Sequence, residues 1–365
     1  MRRWLIAIMI LSGPWSIARA DDPPPAATAE ATVVDDPEPE RKTGSFRVGA
    51  GFSSDEQFIA SAAIAQDDLF GTGQRLALSA ELSELRQDLR LQHHAPDVFD
   101  SGLDLTTDLW TTRRQRPGFV RNGTGGSITV GQQLERATRG FVRYRAEEAA
   151  ALLDAPFSLR PLDQRFGVHT IAALGAGVEY DTLDQRFLPR TGTRLVVDAD
   201  VADRRLGSDV GLVRVSAALD HARPLGPFTL RLQGRAGYVR GRGGDVVPLS
   251  ERYQFDGHAD LRGYPMGAIG VGMDGVAGGF DGEAYARAEL ELPVIRRAGL
   301  SLAAFVDAGA GYNADATWGP IGATVRRSVG VSIIWRSPIG PLRFDWAMPL
   351  DGGKPQFLFG GGASF

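Results

Sequence analysis

Apolar and polar residues alternate with a period of two along most of this chain. In the closing segment Phe357, Phe359, Gly361, Ala363 and Phe365 share one face, and Leu358, Gly360, Gly362 and Ser364 share the other. The segment before it places Leu342, Phe344, Trp346 and Met348 on one side and Arg343 and Asp345 on the other. The same beat runs through Phe46, Val48, Ala50 and Phe52, through Leu76, Leu78, Ala80 and Leu82, and through Leu195, Val197, Ala199 and Val201. Strict alternation over about ten residues is the pattern of a barrel strand with one face to lipid and one to a lumen. Lipid admits only helices or closed barrels, because every backbone polar group must find an internal partner. The pattern therefore predicts an all-β fold, a transmembrane antiparallel β-barrel of about sixteen strands over residues 43–365, an even number as such barrels need. Arg86 to Pro96 and Phe141 to Leu153 alternate least cleanly.

The start of the chain carries a different signal. Arg2 and Arg3 precede an apolar run from Trp4 to Leu11, and Ala18-Arg19-Ala20 supplies a small-residue cleavage site. The run is too short to span a bilayer, so residues 1–20 are expected to be a secretory signal peptide. Asp21 to Lys42 is rich in proline and acids and lacks periodicity. That composition predicts a disordered tail, in the periplasm if the barrel begins there. The expected location is the bacterial outer membrane. Loop length sets the orientation, since periplasmic turns are short and external loops long. Gly241 to Gly282 is the longest connection and follows the eleventh strand by count, so it is expected to be the sixth external loop.

Composition removes several classes of function. A formal net charge of -4 makes nucleic acid an improbable partner. The chain has no cysteine, which excludes disulfides and thiolate metal sites. The histidines at 93, 94, 169, 221 and 258 show no metal-ligand spacing, and no cofactor or metal is expected. Gly270 to Gly275 matches G-x-G-x-x-G but lacks a strand–helix context. There is no G-x-S-x-G nucleophile elbow, so the chain is not expected to be an enzyme.

One constellation stands out. The long loop contains Leu261-Arg262-Gly263-Tyr264, and the two strands after it carry Glu289 and Asp307 on their polar faces. Charge facing lipid is costly, so both acids should point into the lumen from adjacent strands. A loop arginine folded into the lumen could pair with both, because guanidinium is always charged and grips carboxylates through two donors at once.

These residues, with Asp68-Leu69-Phe70-Gly71-Thr72-Gly73-Gln74, the stretch from Glu179 through Pro189 to Gly192, Phe305 to Gly309 and Ser337 to Asp345, resemble the outer-membrane-protein-85 superfamily. Its members include BamA-like and TamA-like assembly barrels and bacterial surface antigens. The resemblance runs from about Thr43 to Phe365. It implies a sixteen-stranded barrel whose sixth external loop folds into the lumen, with Arg262, Gly263 and Tyr264 forming a latch on Glu289 and Asp307. It also implies a weak seam between first and last strands, used as a lateral gate to insert or export client proteins. The residues themselves suggest a weak seam: Gly360, Gly361 and Gly362 stand in a row beside Phe365, and the first strand carries Phe46, Gly49 and Gly51. Family members with an assembly role carry polypeptide-transport-associated repeats before the barrel. A folded domain needs at least about 50 residues, so none is expected between Ala20 and Gly44.

Two alternatives remain open at this point. The arginine latch is a structural clamp or a gating element. The barrel inserts or exports proteins, or it is a passive pore or scaffold. The expected partners are outer-membrane lipid and lipopolysaccharide, unfolded outer-membrane client proteins, and a separate periplasmic receiving protein.

Overall fold

The computed structural model describes residues 43–98, 100–153, 166–269, 276, 278–314, 322–337 and 340–362. The expected signal peptide, the acidic tail and Phe365 lie outside these residues. Sixteen strands run in order: β1 (Gly44–Ser53), β2 (Gln57–Gln66), β3 (Arg75–Leu82), β4 (Arg86–Ala95), β5 (Leu103–Arg116), β6 (Phe119–Glu135), β7 (Thr138–Leu153) and β8 (Gly167–Asp181). They continue as β9 (Gly192–Ala202), β10 (Leu212–Leu225), β11 (Phe228–Gly241), β12 (Gly282–Ile295), β13 (Leu300–Asn313), β14 (Gly322–Ser337), β15 (Gly340–Pro349) and β16 (Gln356–Gly362). Each is antiparallel to its neighbours in sequence, and β1 meets β16, so the sheet closes.

The pleat sorts the side chains. On β12 and β13, Ala284, Ala286, Leu290, Leu302 and Val306 face outward and stay exposed, because no protein covers that wall. Glu289, Glu291, Phe305 and Asp307 face inward and are buried. Amphipathic aromatics mark both rims of the apolar band, as in membrane barrels. Tyr238 and Tyr312 lie 6.4 Å apart at the external rim, and at the other rim the Trp335 indole donates to the Ala298 carbonyl at 3.0 Å.

The two segments of poor alternation are strands, β4 and β7. Their patterns blur for a structural reason. The external end of β7 has apolar residues on both faces, since Ala149 and Ala151 point inward and pack on the loop that follows β11. The described residues of that loop, 242–269, 276 and 278–281, pack against inward side chains of the wall. Its Val247 joins Ala149, Ile171, Leu212 and Val239, while Leu249 joins Phe119 and Ala151. A third cluster of Phe255, Leu261, Tyr264, Ile269 and Phe280 is built mainly by the loop itself. No helix among the described residues is long and apolar enough to cross a membrane.

Ala286 sits on the outer wall in the external half of β12, four residues in from its external end. Ala286→Arg is expected to cost about 2–4 kcal/mol, measured by denaturant unfolding from lipid vesicles. A cost near zero would place this position outside the hydrocarbon.

Candidate functional site

The latch forms where the loop meets β12 and β13. In the ladder, Glu289 faces Phe305 and Arg287 faces Asp307, so the two acids rise from adjacent strands toward one point. Arg262 reaches that point from above. Its Nε donates to Asp307 Oδ2 at 2.7 Å, its Nη2 to Asp307 Oδ1 at 2.6 Å and its Nη1 to Glu289 Oε2 at 2.8 Å. The Arg262 backbone N–H adds a bond to Asp307 Oδ2 at 3.2 Å. The guanidinium also lies 3.5 Å from the centre of the Phe305 ring, a cation–π contact. Glu289 is shared, with Arg343 on β15 and Arg231 on β11 both reaching it.

Burial decides how much this is worth. The Arg262 side chain is 2% exposed and that of Asp307 0%. A wet surface pair contributes little, but removing one member of a pair this deep leaves a buried charge unmatched, at about 3–5 kcal/mol. Backbone geometry seats the motif. Gly263 has φ of 93°, in the left-handed region where a side chain is strained. Tyr264 is buried, and its hydroxyl donates to the Arg327 carbonyl at 2.8 Å and lies 3.3 Å from Asp351. The loop is thereby tied to β14 and to the turn before β16 as well.

A second anchor was not singled out from the sequence. Glu251, on a short buried turn of the same loop, meets Arg214 at 2.7 Å, Arg145 at 3.3 Å and Arg121 at 3.6 Å. It is the mirror image of the latch, a loop acid among wall arginines from β6, β7 and β10. Burial would raise its pKa, but the three guanidinium groups outweigh that and hold it down to about 2. Next to it Arg252 is paired with Asp281 and donates to Asn313 Oδ1 at 2.7 Å. The available signal was an adjacent acid and base, Glu251-Arg252, in a loop whose facing strands hold inward arginines.

The seam is short. The β1–β16 ladder runs only from Gly51↔Gly362 through Phe52↔Gly361 to Ser53↔Gly360 among the described residues. By contrast β1 pairs with β2 along its whole length, from Gly44↔Gln66 to Ser53↔Gln57. The structure thus brings Gly51, Gly360, Gly361 and Gly362 together. Phe46 and Gly49 pair with Ile64 and Ser61 of β2, and no described residue of β16 faces them. Aromatic rings lie across the closure instead: Phe52 is 5.9 Å from Phe359, which is 4.9 Å from Phe344. Such ring pairs add about 0.5–1.5 kcal/mol each.

Two predictions follow from the anchors. Arg262→Ala should raise cleavage of the loop by added protease roughly hundredfold, the change that about 3 kcal/mol implies. Unchanged protection would mean the latch does not hold the loop. For Glu251, a depressed pKa means its anchoring is present above its ordinary value of 4.5 and is lost as pH falls toward about 2. Loop protection from pepsin should therefore decline over that range. Glu251→Gln should already be weakened at pH 7 and should flatten the decline.

Residues 68–365 match the model of the Omp85 superfamily domain. The outer membrane protein assembly factor BamA of Nitratidesulfovibrio vulgaris is 27% identical over 321 residues, covering 86% of this chain. The chain spans only 40% of that relative's length. Among solved structures, BamA from Haemophilus ducreyi lacking POTRA domains 1-3 superposes with a TM-score of 0.75 at 22% identity, covering 89% of this chain and 71% of that one. CdiB from Acinetobacter baumannii gives 0.61 at 14% identity, covering 87% and 58%. With the family model matching most of its length, the chain belongs to the Omp85 superfamily, and its place is the outer membrane.

Proposed function

We propose that this barrel is a non-enzymatic machine for assembly or translocation of outer-membrane client proteins, working through the β1–β16 seam. The observation that carries the reading is the glycine-rich closure, short among the described residues, set beside a lumenal cavity. That cavity, about 670 Å³, is lined by Ser53, Ser54, Phe359 and Gly360 from the seam and by Arg262, Glu289 and Arg343 from the latch. Seam and latch thus share one space.

The physics of strand pairing supplies the work. A strand edge with free N–H and C=O groups is a template for another strand. A client strand that pairs with an opened β1 gains hydrogen bonds that lipid cannot offer it. Glycines at the closing strand keep the ladder being replaced weak, because they pack no side chain. No covalent chemistry is required. The relatives named above include an assembly factor, which supports the reading. The clients would arrive from the periplasm, and a separate receiving protein is a candidate partner there, with lipid and lipopolysaccharide around the outer wall.

The test is photo-crosslinking in living cells from probes at Phe46 and Phe359, with a control at outward Val197 on β9. Adducts with other outer-membrane proteins at the seam but not at Val197 are expected. If the seam probes capture nothing but lipopolysaccharide, the barrel is a passive pore or scaffold instead.

A further inference from the structure

Three consecutive residues at the tip of the first hairpin bind three different parts of the barrel. Ser54 holds the seam: its N–H donates to the Phe359 carbonyl at 2.9 Å, and the Phe359 N–H donates to its hydroxyl at 2.8 Å. Glu56 holds the neighbouring hairpin, accepting from Ser83 Oγ at 2.8 Å and pairing with Arg86 at 3.0 Å. Asp55 lies between them and holds the long loop. Its Oδ2 accepts the backbone N–H of His258 at 3.0 Å, and its Oδ1 is 3.7 Å from His258 Nε2.

The loop is shaped for this approach. Gly257 has φ of 60°, and a Cβ there would fall 3.0 Å from Asp55 Oδ1 and 2.7 Å from the Met266 nitrogen. Only glycine admits both contacts. From Gly257 the chain makes one tight turn into the latch: the Asp260 and Leu261 N–H groups both donate to the Gly257 carbonyl, at 3.2 and 3.0 Å. Leu261 is fully buried and precedes Arg262. Little slack therefore separates the Asp55 contact from the Arg262 latch. Burial pushes the Asp55 carboxyl up to about 6, which still leaves it ionised at neutral pH as an acceptor.

We propose that Asp55 couples the seat of the loop to the closure of the barrel, so that releasing the loop from the lumen frees the first hairpin and opens the seam. Asp55 is then a positioning residue for the gate, and the inference rests on the reading of the seam as a gate. A latch that only stiffened the lumen would have no need of a contact on the hairpin that carries β1.

The chain has no cysteine, so a disulfide can report on the seam without background. Ser53 and Gly360 are cross-strand partners, and both line the lumenal cavity. A Cβ at Gly360 meets nothing within 4 Å. Antiparallel partners have Cα atoms about 4.5–5.5 Å apart, within the range of a disulfide. The experiment compares the rate of disulfide formation in the purified full chain carrying Ser53→Cys and Gly360→Cys, alone and with Asp55→Ala, Asp55→Asn or Arg262→Ala. Asp55→Ala should slow closure about fivefold, the effect of losing one ordinary hydrogen bond. Asp55→Asn keeps an acceptor oxygen and should stay near the parent rate. Arg262→Ala does not touch the seam, yet should slow closure as well. If Asp55→Ala does not fold, Arg262→Ala still decides. An unchanged rate in Arg262→Ala, or in a folded Asp55→Ala, overturns the coupling. No client is present in this assay. Client adducts at an uncoupled seam would leave the proposed function standing, and a coupled seam without adducts would sink that function alone.

Discussion

A sheet that crosses lipid must close on itself, because an open edge would strand its backbone polar groups in hydrocarbon. Among the described residues the closure is also the most lightly paired place in the wall. Elsewhere neighbouring strands pair along most of their length, and β6 and β7 run together from Phe119↔Leu153 to Glu135↔Thr138. At β1 and β16 the ladder among the described residues covers a few glycine-rich positions near the external rim, with the Phe52 and Phe359 rings in contact on the lipid side. Among the described residues the wall is thus most lightly paired at its closure, and contacts from the lumen bear on that place.

Inside the lumen the long loop is tied to the wall. Loop 242–281 is held by charge in two opposite senses, a cation among wall acids at Arg262 and an anion among wall cations at Glu251. Both charges are buried, so each anchor holds firmly while intact and is costly to break by losing one partner. The same design suits a part that must be seated or released as a unit. Apolar packing adds to both anchors, with Val247 and Leu249 set against the wall and Leu261 within the loop's own cluster.

Guanidinium dominates this interior. The only lysines in the chain are Lys42 and Lys354. Arg262 spends three of its side-chain donor bonds on two carboxylates and its flat face on Phe305. An ammonium group could not serve both acids and the ring in that geometry. The latch lies at the edge of the cavity beside the seam, with the Arg262 and Asp307 side chains themselves buried.

Period-two alternation is a local property of the pleated backbone, so the sequence alone determined the architecture. It reached the strand number, the faces of β12 and β13, the bounds of the long loop, and the trio Arg262, Glu289 and Asp307, whose acids stand at inward positions on consecutive strands. Contacts across the lumen were a different matter. Glu251 with Arg121, Arg145 and Arg214, and Asp55 with His258, join residues far apart along the chain whose meeting depends on barrel stagger and on the path of the loop. Inward charges all look alike in a sequence, because any of them is equally compatible with a polar lumen. Only the closed tertiary structure decided which charge meets which, how little of β1 the described part of β16 covers, and that the hairpin tip carrying Asp55 touches both the seam and the loop.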